Sequence, residues 1–271
     1  MLSSIQLSKA GLTTSRLAFG TSRLHYSGRR DRQRLLASAA SLGFVHFDTA
    51  PSYGDGLAEA ELSWILKGKR DRFVIATKYG VPPDPLLEAL PSFGEPLRYI
   101  RAAARRVGLW QIPRQPLTPA GLRESAERSL RRLQSDWIDI LFLHEPRPEC
   151  VPRPLEILEE LLNLRRRGLI RTFGLAGSWD GIDALMAATP DLAQVVQTAE
   201  AEWPEALPPD ITYGAVAGGI QSYGSQGVST EQALERLRSA LNRRPHGVIV
   251  VSTTKIDHLN LLVEAATSSP V

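Results

Sequence analysis

Cysteine is nearly absent from this chain: Cys150 is the only one in 271 residues. No intrachain disulfide is possible and no cysteine-rich metal site can be built, so a reducing, cytoplasmic compartment is the expectation. Long apolar runs are missing as well. Nothing approaches the roughly 18 consecutive apolar residues of a membrane span, and the opening "MLSSIQLSKAGL" lacks the continuous apolar core of a secretory signal. Charge of one sign is scarce, with a net of only +3. The basic residues interleave with glutamate, as in "RESAERSLRRLQSD", and no aromatic-rich RNA motif accompanies the runs Arg29–Arg30 or Arg165–Arg166–Arg167. Neither a nucleic-acid nor a membrane partner is expected. Glycine motifs of the G-x-G-x-x-G and G-x-x-x-x-G-K-[ST] types do not occur, which weighs against dinucleotide-binding doubly wound folds and P-loops.

What is present is a regular beat. Short β-branched or aliphatic runs alternate with amphipathic stretches along nearly the whole chain. Strands are expected at Arg16–Thr21, Val45–Asp48, Phe73–Lys78, Ile138–His144, Ile170–Leu175, Gln194–Ala199, Ile211–Ala215 and Gly247–Ser252. Helices are expected at Asp31–Leu42, Leu57–Lys67, Pro119–Gln134, Pro154–Arg167, Asp180–Ala188, Thr230–Arg243 and Lys255–Thr267. Several have legible ends: Pro119 suits a first helical turn, Gly168 a C-terminus, and Ser229 with Gln232 a capping box. The sixth strand is followed only by "EAEWPEALPPD", too rich in proline for a regular helix. Strands apolar on both faces and alternating with helices imply a parallel sheet covered by helices. Eight such units in this length favour a single (β/α)₈ TIM barrel spanning residues 1–271. Ser4–Lys9 is expected to form an N-terminal hairpin with Leu12–Thr14 that plugs the barrel bottom. A long insert, Gly80–Leu117, follows the third strand; connections of that length are usually functional. Its stretch "EPLRYIRAAARRVGLW" reads as a helix within a lid, on the face where barrel active sites lie.

Successive strands end in polar groups. Asp48 ends the second and is followed at once by Tyr53 on a turn rich in glycine, Lys78 ends the third, and His144 ends the fourth. In a barrel these ends converge. A carboxylate at the end of an apolar run is costly unless paired, and Lys78 on the adjacent strand is the natural partner of Asp48. A lysine ammonium beside a phenol lowers its pKa, which would make Tyr53 a better proton donor, while His144 can orient a carbonyl oxygen towards it. Such a site protonates a carbonyl oxygen while something else delivers hydride to its carbon. No side chain supplies hydride, so a nicotinamide cofactor is required.

The segments "GFVHFDTAPSYG", "RFVIATKYG" and "DWIDILFLHEP" resemble the signature segments of the aldo-keto reductase superfamily. The resemblance continues through "LRRRGLIRTFGLAG", "QVVQTAEAEW", "ITYGAVAGG" and "GVIVVSTTKIDHLNLLVEA", covering nearly the whole chain in order. It implies a (β/α)₈ fold, NADP(H) ahead of NAD(H) as the family default, no metal, and a small-molecule carbonyl or alcohol as substrate, in a monomer or small homo-oligomer. The family's Asp–Tyr–Lys–His tetrad falls on Asp48, Tyr53, Lys78 and His144. By the same resemblance Tyr213 stacks on the nicotinamide ring and Gln197 holds the carboxamide. Ser252, Thr253, Thr254, Lys255 and His258 lie in the cofactor phosphate segment. The chain also departs from the family: its Ser-Asn pair after the fifth strand is Ala176–Gly177 here, and its usual lysine before the phosphate turn is Ser252.

The resulting expectation is an NAD(P)-dependent oxidoreductase that interconverts an aldehyde, ketone or aldose and its alcohol. The alternatives are a catalytically weak nicotinamide-binding sensor or partner subunit of the same fold, and a barrel lyase using Lys78 as a Schiff-base amine. An ion pair with Asp48 would keep that amine protonated and opposes the last reading. Tyr79 and Trp110 from the insert, with Trp179 and Trp203, are expected to wall the substrate pocket.

Overall fold

A computed structural model of the protein describes residues 2–84, 116–216 and 228–268. Eight parallel strands close into a barrel: β3 (Leu17–Gly20), β4 (His46–Asp48), β5 (Val74–Tyr79), β6 (Ile138–His144), β7 (Ile170–Gly177), β8 (Val196–Ala199), β9 (Ile211–Tyr213) and β10 (Val248–Val251), with β10 pairing back onto β3. Ahead of them β1 (Ser4–Leu7) and β2 (Leu12–Ser15) form an antiparallel hairpin. The expected barrel and hairpin are therefore both present, with element ends displaced by a residue or two.

Period-two alternation divides the core into two shells. Leu17, Phe19, Phe47, Ile75, Leu141 and Phe173 face outward and pack against the helices. Ala18, Val74, Ile140, Phe142, Val248 and Val250 face the lumen, and the hairpin residues Ile5, Leu7 and Leu12 join them. The hairpin thus closes the end from which the strands start. In the outer shell Phe47 meets Phe19 and Phe73 edge to face at 6.0 and 5.6 Å, a geometry the ring quadrupoles favour.

The helices begin and end for local reasons. In Pro119–Leu133, Thr118 accepts a hydrogen bond from the Gly121 N–H at 3.1 Å, and Leu122, Ala126, Leu130 and Leu133 form the buried stripe. At Thr230–Arg243 the capping box is complete: Gln232 N–H donates to Ser229 Oγ at 3.2 Å, and Ser229 N–H donates to Gln232 Oε1 at 3.1 Å. Between β8 and β9 the chain turns through Pro204, Pro208 and Pro209 without a helix, as its proline content dictates.

Charged groups at the hairpin end of the barrel are held by dense hydrogen bonding. Arg70 donates to Ser135 Oγ, Phe73 O, Trp137 O and Asp139 Oδ2 at 2.6–2.9 Å. Asp139 also accepts from the Ile75 N–H at 2.9 Å and pairs with Arg171 at 2.9 Å. The Trp137 ring takes the guanidinium groups of Arg70 and Arg171 at 4.5 and 4.9 Å from its centroid. Among the described residues no helix is long and apolar enough to cross a membrane. The lid expected within the insert, with its helical stretch and Trp110, lies outside the described residues.

Candidate active site

At the opposite end of the barrel the lumen-facing positions turn polar. Asp48 and Lys78 stand on adjacent strands, each 3% exposed. The Lys78 ammonium donates to Asp48 Oδ1 at 2.6 Å, to the Thr49 carbonyl at 2.8 Å and to the Tyr53 hydroxyl at 3.3 Å. An ammonium has three N–H groups, and all three are committed. The second Asp48 oxygen accepts from Gln197 Nε2 at 2.9 Å. This answers the desolvation problem posed by Asp48: both of its oxygens are bonded. Burial works to discharge Lys78, but the charge of Asp48, reinforced by Tyr53 and by hydrogen bonds to both, raises its pKa above the ordinary lysine value.

Tyr53 reaches this pair from a turn that few residues tolerate. Gly54, Asp55 and Gly56 have φ of 59°, 53° and 89°, three consecutive left-handed residues, which β-carbon crowding disfavours outside glycine and, to a lesser degree, Asp and Asn. A Cβ on Gly54 would also meet His25 Cβ at 2.8 Å. The turn brings the ring over Lys78, with the ammonium 4.8 Å from its centroid. His144 stands edge to face with the ring at 6.2 Å between centroids.

The expected lowering of the Tyr53 pKa is not what results. Burial is the larger influence and pushes the phenol above its ordinary value; Lys78 pulls it down, while Asp48 and Glu145 push it further up. Tyr213 is raised by burial first, then by Glu145 and Glu202, so it is a neutral ring at working pH.

A cavity of about 440 Å³ opens above these groups and brings together Asp48, Tyr53, Lys78, His144, Gln197 and Tyr213. Among the described residues Gln197 Oε1 has no hydrogen-bond partner, an orphaned acceptor facing a ligand-sized space. Ser252 lines the same cavity, and its hydroxyl donates to the Gly20 carbonyl at 2.9 Å. Thr253, Thr254, Lys255 and His258 line instead a second cavity of about 360 Å³, with Ala233, Leu234, Leu261 and Leu262. Lys255 is the N-cap of helix Ile256–Thr267 rather than part of its first turn, and its side chain makes no capping bond. Thr253 Oγ1 accepts from the Lys255 N–H at 3.0 Å.

The expected aromatic wall is not found among the described residues that were to build it. Tyr79 sits one residue beyond inward-facing Lys78, so it points outward, packs on the outer shell and bonds its hydroxyl to Thr118 N–H at 3.1 Å. Trp179 also packs on the outer shell, and Trp203 lies against Arg243 and Arg244 at 5.7 Å from each. Strand parity carried the signal for Tyr79. Two charged cavity residues escaped the sequence reading. Glu145 follows His144 with φ of 50°; a Cβ on Gly177 would come within 2.8 Å of Glu145 Cα and 3.1 Å of its Oε2, so glycine is required there. Arg23 lines both cavities from a short loop that has no periodicity to mark it.

Residues 16–200 match the sequence model described as the Aldo/keto reductase family. A D-threo-aldose 1-dehydrogenase from a Pseudomonas species is 30% identical over 172 residues, covering 61% of this chain and 51% of that protein. The chain spans about half the length of the curated relatives it matches. Among solved structures, an aldo-keto reductase from Bacillus halodurans in its holo form superposes with a TM-score of 0.72 at 21% identity, covering 100% of this chain and 93% of that one. A Klebsiella pneumoniae aldo-keto reductase in complex with NADPH superposes with a TM-score of 0.68 at 18% identity, covering 100% and 92%.

Proposed function

The chain belongs to the aldo/keto reductase family, and on that premise we propose that it interconverts a carbonyl compound and the corresponding alcohol, with Tyr53 as the general acid in reduction and the general base in oxidation. One observation carries the reading: the Lys78 ammonium sits between Asp48 and the Tyr53 hydroxyl on the floor of a ligand-sized cavity. Because Lys78 donates to the phenol oxygen, the phenolic hydrogen is left to point at a ligand. The raised pKa keeps Tyr53 protonated at neutral pH, the form a reduction needs. Once its proton has passed to the carbonyl oxygen, the phenolate faces the fixed ammonium in a site of low dielectric, where their attraction far exceeds its value in water. Asp48 keeps that ammonium charged and aimed. His144, at the cavity rim beside Tyr53, orients the carbonyl oxygen.

The residues present fit a nicotinamide dinucleotide. The orphaned Gln197 Oε1 accepts from a carboxamide NH₂, the neutral Tyr213 ring offers a stacking face, and glycines at 20 and 177 keep the cavity wall free of side chains. When bound in reduced form, the cofactor supplies the hydride that adds to the carbonyl carbon. Gln197 also donates to Asp48, which ties the carboxamide position to the proton-donating group. We assign NADP(H) ahead of NAD(H): Lys255 and His258 line the second cavity together with Arg23, a setting suited to an additional phosphate, and the NADPH complex of the Klebsiella protein is in keeping with this.

The substrate class is an aldehyde, ketone or aldose. The test is a screen of these three classes against NADPH and NADH, read as cofactor absorbance. Turnover of at least one class supports the reading. Tight cofactor binding with no turnover of any class would replace it with the sensor reading.

A further inference from the structure

Behind the barrel wall, on the far side of β5 from the cavity, lies a polar cluster that the proposed reaction does not use. Glu59 stands in the first turn of helix Leu57–Leu66 and is fully buried. Its Oε1 accepts from the Thr77 hydroxyl at 2.6 Å, and its Oε2 accepts from Arg132 Nε at 2.7 Å. Thr77 precedes Lys78 on β5 and faces outward because Lys78 faces the lumen. Arg132, from helix Pro119–Leu133, runs across the turn that carries Tyr53: a Cβ on Gly56 would meet its Cδ at 3.0 Å. A buried ion pair adds little stability over well-packed apolar side chains. What this one adds is direction, because each carboxylate oxygen holds a different element.

Tyr53 is tied to the same helix. Its carbonyl accepts from the Ala58 N–H at 3.2 Å, and the Gly54 carbonyl accepts from the Leu57 N–H at 3.1 Å. A path therefore runs from Tyr53 to Lys78 through Ala58, Glu59 and Thr77, none of which lines the cavity. The contact it governs has little slack. The Lys78 ammonium meets the Tyr53 hydroxyl at 3.3 Å, the longest of its three bonds, and a further displacement of about 0.3 Å would leave no hydrogen bond.

We propose that Glu59 is a positioning residue: by clamping helix Leu57–Leu66 to Thr77 it sets the distance between the Tyr53 hydroxyl and the Lys78 ammonium. The role rests on the proton transfer assigned to Tyr53 above and extends it to residues outside the cavity. Loosening the clamp leaves the cavity lining unchanged but lets the phenol drift from the ammonium that stabilises its anion. The groups facing Tyr53 are Lys78 from β5, Asp48 from β4, and His144 and Glu145 from the end of β6. None of these is altered by changing Thr77 or Glu59.

The test uses the full chain with tyrosine isotope-labelled at the ring carbon that bears oxygen. Its NMR shift is followed against pH, with Tyr53→Phe assigning the Tyr53 signal, and turnover with NADPH is measured alongside. Thr77→Val removes one arm of the clamp while keeping the shape of the side chain. It is expected to lower the turnover number for carbonyl reduction about tenfold, with KM values within a few-fold. It should also move the Tyr53 titration to higher pH, since Lys78 is the group that pulls it down. Thr77→Ser keeps the hydroxyl and should match wild type in both. Glu59→Gln, whose amide can accept at only one end, should change both in the same direction and carries the test if Thr77→Val does not fold. Wild-type turnover and titration in folded Thr77→Val overturn the clamp. So does a loss of turnover that leaves the titration unmoved or that Thr77→Ser shares. Carbonyl reduction by Tyr53→Phe at the wild-type rate would instead remove the proton-transfer reading beneath it.

Discussion

The two ends of the barrel use the same chemical vocabulary to opposite purpose. At the hairpin end Arg70 and Asp139 form a pair in which every side-chain nitrogen and oxygen has a partner, down to an N–H of the neighbouring strand and the Trp137 ring between two guanidinium groups. At the cavity end Lys78 and Asp48 form a buried pair as short, 2.6 Å, but among the described residues the network around it stops at an open end: the Gln197 oxygen lacks a donor. A saturated network can only hold the fold together. An unsaturated one can be completed by something else, and the proposed carbonyl substrate and dinucleotide would supply what is missing.

The sharpest test of that contrast is to remove one group from each end. Tyr53→Phe should lower the turnover number by about 10²–10⁴-fold, the range of a lost general acid, while cofactor affinity stays within a few-fold and the melting temperature hardly moves. Carbonyl reduction at the wild-type rate in that variant would place the proton donor elsewhere. Asp139→Asn should do the reverse. It leaves Arg70 without its counter-charge and costs about 3–5 kcal/mol of stability, read by urea unfolding, with turnover per folded molecule retained. If it instead abolished turnover in a stable protein, the two ends would not be separable.

His46 lies between the ends. It faces the lumen, is fully buried, and among the described residues neither ring nitrogen has a hydrogen-bond partner. Burial lowers its pKa to about 4, with Asp48 and Asp139 opposing and Lys78 assisting. The unfolded chain binds this proton near pH ~6.5 and the folded one does not. The stability His46 contributes is therefore complete above pH ~6.5 and lost as the pH falls towards 4, a difference of about 3 kcal/mol at the lower limit. His46→Leu should flatten the acid limb of unfolding free energy against pH; a limb of unchanged slope would assign it to other groups. The smallest effect concerns Glu145, which helps raise the Tyr53 pKa. In the proposed mechanism alcohol oxidation needs the phenolate, and its rate is expected to rise with pH. Glu145→Gln should shift that rise to lower pH, and a shift in the other direction would show that the carboxylate acts through something other than its charge.

Much of the cavity end was legible in the sequence because strand parity is local. Asp48, Lys78 and His144 each close an apolar run, and a barrel gathers strand ends whatever their separation along the chain. Tyr53 could be read from the glycines around it. The net direction of its pKa could not, since desolvation depends on what the whole fold stacks above the ring, whereas the influence of Lys78 follows from adjacency alone. Tyr79 was misplaced although the alternation that put Lys78 inward puts its neighbour outward. Gln197 was read as a contact for the cofactor, yet its amide is also bonded to Asp48, a partner 149 positions away that no local pattern announces. Glu145 and Arg23 belong to loops, where side-chain direction follows backbone angles that the residue types only weakly constrain.

The ring of strands has one seam, and it joins the earliest barrel strand to the latest: Leu17 lies opposite Ile249, and Phe19 opposite Val251. During synthesis the hairpin is made first, yet the wall it must plug is incomplete until those final valines emerge. Up to that moment Leu17–Gly20 and Ile211–Tyr213 are bare edges open to pairing with another chain. The circle therefore cannot close before residues 248–251 exist, and until then the polar cluster around Lys78 lacks the complete wall that shelters it.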